Sequence, residues 1–290
     1  MLLNASGCLD ALTAPDVARA LDAYVTKTIT PEPREGNAPV RIAETDVGML
    51  NSIGLANPGR ERFLDDVLPR LRELGVPIWV SVGGFCTVDY AETCMYLGRQ
   101  PVAAIELNLS CPNVDEAPES AAEIVAACRS ETPIPLYAKL SAAVPDVAAV
   151  ARAVHAAGAD GLSLINTIRG LKLDERTLQP VLGRVMGGLS GPALKPVALA
   201  AVYACYRATQ LPIVGMGGVR TGRDALELIA AGAQHVALGT ILFADPDAPS
   251  RVRAELAAAA NDVGVVDPDD AFALGHASQK DVESERKLPA

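Results

Sequence analysis

The segment Asn108-Leu109-Ser110-Cys111-Pro112-Asn113 places two amides, a hydroxyl and a thiol directly after the apolar run Val102-Ala103-Ala104-Ile105-Glu106-Leu107. A buried-strand pattern thus runs straight into a polar turn. Such a turn suits a small planar ligand with hydrogen-bonding edges and a carbon-bound proton to give up. Asn, Ser and Pro are also ordinary turn formers, and Cys is often a small buried hydrophobe, so the segment alone leaves both readings open.

The ends of other apolar runs carry comparable residues. Lys27 closes the run at 23–26, Lys139 stands in Tyr137-Ala138-Lys139-Leu140, and Asn166 follows the run at 161–165. A lysine among strand residues is costly unless it points into a polar site. Two glycine groups, Gly217-Gly218 and Gly239-Thr240, follow the last two runs. In (β/α)8 barrels these loops commonly hold a phosphate on backbone N–H groups, and glycine permits its close approach. The rim therefore offers an anion cradle on one side and lysines with amides around the rest, an arrangement that fits flavin mononucleotide (FMN).

The elements needed to position these residues are legible as alternation. Strands are expected at 2–5, 23–26, 78–82, 104–107, 136–140, 161–165, 212–215 and 235–238. Between them lie amphipathic stretches at 60–74, 121–129, 147–157, 193–208 and 225–231. Repeated βα units argue for a parallel sheet buried on both faces, and eight of them predict a single-domain α/β fold, the (β/α)8 or TIM barrel. The barrel is expected over residues 1–274, with a charged tail at 275–290. Long polar insertions at 29–58 and 167–192, after the second and sixth strands, read as functional loops on the C-terminal face.

Bulk properties narrow the partners. The 290-residue chain is half hydrophobic and carries a net charge of −10, which disfavours nucleic acid and anionic membrane. No apolar run approaches membrane-spanning length, and the chain is expected to be cytoplasmic. The six cysteines (8, 86, 94, 111, 128 and 205) form no Cys-x-x-Cys, and His155, His235 and His276 are scattered, so no metal site is expected.

Across nearly its whole length the chain resembles dihydroorotate dehydrogenases, specifically the soluble class 1 catalytic subunit. The resemblance rests on Asn4-Ala5-Ser6-Gly7, Val25-Thr26-Lys27-Thr28, Gly48-Met49-Leu50-Asn51-Ser52-Ile53-Gly54-Leu55 and the segment 108–113. It continues through 161–167, Gly187-Gly188-Leu189-Ser190-Gly191, Gly215-Met216-Gly217-Gly218 and Gly239-Thr240. It implies FMN-dependent oxidation of dihydroorotate to orotate in pyrimidine biosynthesis. Cys111 would be the general base at C5 while C6 passes hydride to FMN, with Lys27 close to both substrate and flavin. Substrate contacts would come from Lys27, Asn51, Ile53, Gly54, Leu55, Asn108, Asn113, Asn166 and Thr167. Flavin contacts would come from Ala5, Ser6, Gly7, Lys27, Thr28, Asn108, Lys139, Ile165, Gly191, Gly217, Gly218, Gly239 and Thr240.

The wording of 49–58 and 159–170 is closer to the NAD-linked class 1B branch. This implies a homodimer, extended to a heterotetramer by a subunit carrying FAD and a [2Fe–2S] cluster. Rival readings are a fumarate-reducing class 1A enzyme, a dihydropyrimidine dehydrogenase-like flavoenzyme and a flavin-binding barrel without turnover. The four asparagines with Lys27 favour a carboxylated ring. Relative to the family pattern, Met1 stands almost on the first strand, so either the start lies upstream or the barrel floor is open. The loop after Asn113 is also short, so lid closure is expected to differ.

Overall fold

A computed structural model describes residues 1–109 and 118–277, with backbone only at Pro118 and Glu119. Cys111, Asn113 and the tail from 278 lie outside the described residues.

Eight parallel strands form the barrel: β1 (Leu2–Asn4), β2 (Tyr24–Val25), β3 (Ile78–Val82), β4 (Ala104–Asn108), β5 (Leu136–Leu140), β6 (Gly161–Leu164), β7 (Ile213–Met216) and β8 (His235–Leu238). They pair in the order β1-β8-β7-β6-β5-β4-β3-β2. A parallel bridge between Leu3 and Ala23 closes the ring. At this seam the buried Asn4 side chain takes the place of a peptide group. Its Nδ2 donates to the Val25 carbonyl at 2.7 Å, and its Oδ1 accepts from the Val25 N–H at 2.8 Å. The second strand spans 24–25 rather than the expected 23–26, with Ala23 held in the bridge to Leu3 and the Thr26 N–H on the Trp79 carbonyl.

Period-2 alternation sorts the strand residues into two cores. Leu2, Ile78, Val80, Ile105, Leu107, Leu136, Leu162 and Ile213 point outward against the helices. Leu3, Val25, Trp79, Ala104, Tyr137, Val214 and Ala237 fill the barrel interior. The expectation of an open floor fails on this point: Trp79 and Tyr137 lie low in the barrel, their ring centroids 4.4 Å apart, and are only 5% and 8% exposed. Gly161 accommodates the Tyr137 ring, which a Cβ there would strike.

Helices cover the outside at Thr87–Leu97, Pro118–Glu131, Val147–Ala156, Lys195–Thr209, Gly222–Ala230 and Ala248–Asn261. The expected helix at 60–74 spans 60–72 and contains a wider turn over Phe63–Val67. The helices Thr87–Leu97 and Ala248–Asn261 lie outside the amphipathic stretches named from the sequence. Within the stretch expected as a tail, His276 stacks on Tyr203 at 4.0 Å and contacts the Ala231 carbonyl at 2.9 Å.

The two insertions are not separate loops. Ile42–Thr45 and Gly48–Asn51 form a hairpin from the first, and Ile168–Leu171 and Met186–Ser190 one from the second. They join through pairing of Met186–Ser190 with Gly48–Asn51 into one antiparallel sheet. Residues more than 130 positions apart thus share a register, Gly188 opposite Asn51.

Candidate active site

The inward columns of the barrel change character as they rise. Above Trp79 comes Ser81; above Ala104 come Glu106 and Asn108; above Tyr137 comes Lys139; above Val25 comes Lys27. The strands thus carry apolar residues at the floor and polar ones at their C-terminal ends. That is where barrel sites form.

Those ends open into a cavity of about 1980 Å³, overhung by the insertion sheet. Each described residue expected at the site lines it. From β1, β2 and the turns after them come Ala5, Ser6, Gly7, Lys27 and Thr28; the first insertion adds Asn51, Ile53, Gly54 and Leu55. Asn108, Lys139, Ile165, Asn166 and Thr167 stand at the ends of β4, β5 and β6. Gly191, Gly217, Gly218, Gly239 and Thr240 line the opposite side.

Beneath the cavity runs a directed hydrogen-bond chain. Glu106 is 1% exposed and faces the Lys139 ammonium at 3.3 Å, with Lys139 itself 5% exposed. A carboxylate only accepts, so the Ser81 hydroxyl must donate to it, at 3.1 Å. Ser81 Oγ is then left to accept from the Thr28 hydroxyl at 2.9 Å. Thr28 Oγ1 in turn accepts from Asn108 Nδ2 at 3.3 Å, and Asn108 Oδ1 accepts from Asn166 Nδ2 at 3.1 Å. The Asn166 carbonyl oxygen takes the Thr167 N–H at 2.8 Å. One buried charge thereby sets the orientation of two cavity amides. Tyr90 adds a bond from its hydroxyl to the Asn108 carbonyl at 2.8 Å.

The glycine side has its own anchor. Gly217 and Gly218 have φ of +122° and +81°, and a Cβ on Gly218 would come within 2.8 Å of the Lys195 nitrogen. Thr221 and Asp224 form a reciprocal cap at the start of Gly222–Ala230. Asp224 accepts from the N–H groups of Arg220 and Thr221 at 3.0 and 2.9 Å and from the Lys195 ammonium at 2.7 Å. Burial alone pushes the Asp224 carboxyl upward, but Lys195 and these N–H donors outweigh it and hold the group below the ordinary carboxylate range. The Asp224 and Glu227 carboxylates raise the Lys195 ammonium. Across the cavity the Thr240 hydroxyl donates to Ser190 at 2.8 Å, tying the last barrel loop to the insertion sheet.

These residues fit a flavin nucleotide. The cavity holds a large flat ligand, the glycine turn leaves space that a side chain would fill, and two ammonium groups with several amides meet its edge. Cys8, read as a scattered thiol, also lines the cavity. Burial pushes its thiol up despite the opposing pull of Lys139 and Lys27, which makes it a poor base.

A profile of the dihydroorotate dehydrogenase family matches residues 1–259. The chain belongs to the dihydroorotate dehydrogenase family. As a member it is an oxidoreductase that oxidises dihydroorotate to orotate in pyrimidine biosynthesis. It is 44% identical over 264 residues to the catalytic subunit of dihydroorotate dehydrogenase B (NAD(+)) of Desulforudis audaxviator, covering 88% of this chain and 86% of that one. To the same subunit of Geobacillus kaustophilus it is 42% identical over 277 residues, covering 91% and 88%. Both names agree with the closeness to class 1B read from 49–58 and 159–170. Ligand-free dihydroorotate dehydrogenase of Eimeria tenella superimposes with a TM-score of 0.81 at 25% identity, over 95% of this chain and 89% of that one. Among the described residues no helix is long and apolar enough to cross a membrane.

Sequence reasoning missed Glu106, Ser81 and the Lys195–Asp224 anchor. Glu106 was discoverable: it stands two residues before Asn108 on one strand, so both share a face. Thr221-x-x-Asp224 before an apolar run is likewise a readable cap. Ser81 gave no signal.

Proposed function

We propose that this chain, over residues 1–274, is the FMN-binding catalytic subunit of a class 1B dihydroorotate dehydrogenase. The observation that carries the proposal is the single cavity in which a glycine cradle faces Lys27, Lys139 and three amide side chains above an apolar floor.

Gly217, Gly218, Gly239 and Thr240 would hold the FMN phosphate on their backbone N–H groups, and Lys139 would face the electron-rich end of the ring. Ala5, Ser6, Gly7, Thr28, Ile165 and Gly191 would complete the flavin contacts. When bound, FMN supplies a two-electron acceptor for the hydride leaving C6 of dihydroorotate. Asn51, Asn108, Asn113 and Asn166 would hydrogen-bond the ring edges, Lys27 would meet the carboxylate side, and Ile53–Leu55 with Thr167 would wall the pocket. Cys111 would take the C5 proton as thiolate. The insertion sheet would roof the pocket over the ring and limit the access of water to it.

The outlet is proposed as a second subunit carrying FAD and a [2Fe–2S] cluster and passing electrons to NAD+, on a homodimer of this chain, in the cytoplasm. The shared name of the relatives, a catalytic subunit of an NAD(+)-linked enzyme, supports this.

The test is the anaerobic visible spectrum before and after dihydroorotate. A bound flavin that bleaches is expected, with Cys111→Ser keeping its flavin while turnover falls by about 10²- to 10⁴-fold. A yellow protein that dihydroorotate leaves unbleached would overturn the substrate, and unchanged turnover in Cys111→Ser would remove the base.

A further inference from the structure

The whole chain has 25 cationic and 35 acidic side chains, yet the cavity inverts that balance. Its described lining contains Lys27, Arg34, Lys139, Arg169, Arg184 and Arg220 against one carboxylate, Asp146. Asp146 is already engaged, capping the helix Val147–Ala156 and facing Arg152 at 3.6 Å. Lys27 and Lys139 lie deep at the strand ends, where the proposed chemistry uses them. The arginines lie at the mouth and have no place in that chemistry.

Arg169 is the most telling. It sits on Ile168–Leu171 opposite Gly188, and Gly188 sits opposite Asn51. Directly paired residues share a sheet face, so Arg169, Gly188 and Asn51 form one row on the cavity side. Two strand spacings separate Arg169 from Asn51 by about 10 Å between Cα atoms. Gly188 between them has no side chain of its own, and the Thr167 side chain packs over it, with its hydroxyl where a Gly188 Cβ would stand. Arg169 is exposed, and among the described residues neither it nor Arg184 has an acidic partner. On the other side Arg34 is pinned, with its guanidinium 4.7 Å from the Phe85 ring centroid and its Nε donating to the Gly54 carbonyl at 3.4 Å.

Resting on the proposed function, we infer that Arg169 and Arg184, with Arg34 across the mouth, form a capture site for the substrate carboxylate. They draw the anion along this row, past the Thr167 side chain, toward Asn51 and hold orotate on its way out. An acidic protein repels an anionic substrate at long range, and a cation-lined, low-dielectric mouth reverses that locally. The arginines act on arrival and binding, without touching the reacting carbons.

The experiment compares flavin-loaded wild type with Arg169→Gln/Arg184→Gln and Arg169→Glu/Arg184→Glu. Orotate is titrated by equilibrium calorimetry, and bleaching by dihydroorotate is timed anaerobically, each at 10 and 300 mM salt. Neutralisation is expected to weaken orotate binding by about fivefold at 10 mM salt and reversal by about twentyfold, both losses shrinking at 300 mM. The loss falls on kcat/KM, and the bleaching rate at saturating dihydroorotate falls far less. Unchanged orotate affinity and salt dependence in the reversed variant would overturn the inference. So would variants that bind orotate normally but lose a partner subunit, which would make the arginines docking residues. A wild type whose flavin dihydroorotate does not bleach would instead sink the proposed substrate.

Discussion

Replacing Glu106 by Gln tests whether a buried charge pair organises the site. The substitution keeps shape and leaves an oxygen for Ser81, but removes the negative charge 3.3 Å from Lys139 Nζ. At an effective dielectric of about 20, that attraction is worth about 5 kcal/mol. Both side chains are nearly inaccessible, 2% and 6% exposed, so water cannot replace the lost partner. Leaving one member of a buried pair uncompensated costs about 3–5 kcal/mol. Part of this returns as Lys139 shifts toward the cavity, so about 3 kcal/mol is expected for Glu106→Gln. Total stability of a folded domain is only about 5–15 kcal/mol, so the effect is large.

The assay is urea unfolding of flavin-free protein at neutral pH, followed by circular dichroism, on wild type, Glu106→Gln, Lys139→Met and the double variant. Removing the cofactor avoids its own contribution to stability. The double variant is expected to lose less than the sum of the singles, by about 2 kcal/mol or more, since it leaves no orphaned charge. Additive losses, with Glu106→Gln within about 1 kcal/mol of wild type, would refute the reasoning. Such a result would mean that the floor of the cavity is wet enough to screen the pair.

Three further outcomes follow from the geometry. Gly218→Ala puts a Cβ on a residue at φ +81° and 2.8 Å from the Lys195 nitrogen; it should lose FMN on gel filtration while keeping its circular dichroism, and full flavin retention would count against the cradle. Asp224 is held below the ordinary carboxylate range, so its contribution to stability is present above about pH 4 and lost as pH falls further. Asp224→Asn should weaken flavin binding and flatten that acid limb; an unaltered limb in a denaturation series would exclude Asp224 as its source. His235 is lowered to about 4, first by burial and then by the neighbouring N-terminal charge. Its stabilisation is therefore full above about 6.5 and lost on acidification toward 4; after allowance for partial exposure this is about 2 kcal/mol, and His235→Gln should lack the slope.

The barrel was legible because its strands are buried on both faces and therefore read as apolar runs at regular spacing. All eight were placed within a residue or two, and the residues at their ends were the ones that meet in the cavity. Chemistry was legible at those ends because a lysine or a paired amide is costly inside a strand without a polar destination. The support beneath was harder to see. Ser81 is an ordinary strand residue in isolation and Thr28 follows β2, and their place in the hydrogen-bond chain exists only because β2, β3 and β4 are neighbours in the ring. Their hydrogen-bond directions are dictated by a carboxylate on the third of those strands, which no local pattern encodes.

The roof escaped for a different reason, and it explains why the mouth arginines were overlooked. Each insertion supplies strands of only four or five residues, rich in glycine, such as Gly48–Asn51 and Met186–Ser190. Neither hairpin could bury a face alone; they become a sheet by pairing with each other across the chain. Period-2 reasoning needs a strand before it can assign a face. With 167–192 taken as loop, Arg169 had no side. Once Gly188 stands between it and Asn51, Arg169 falls on the cavity side of the roof. Residues on the barrel strands can therefore be argued from their own run, whereas residues on the roof can be argued only from the pairing of two.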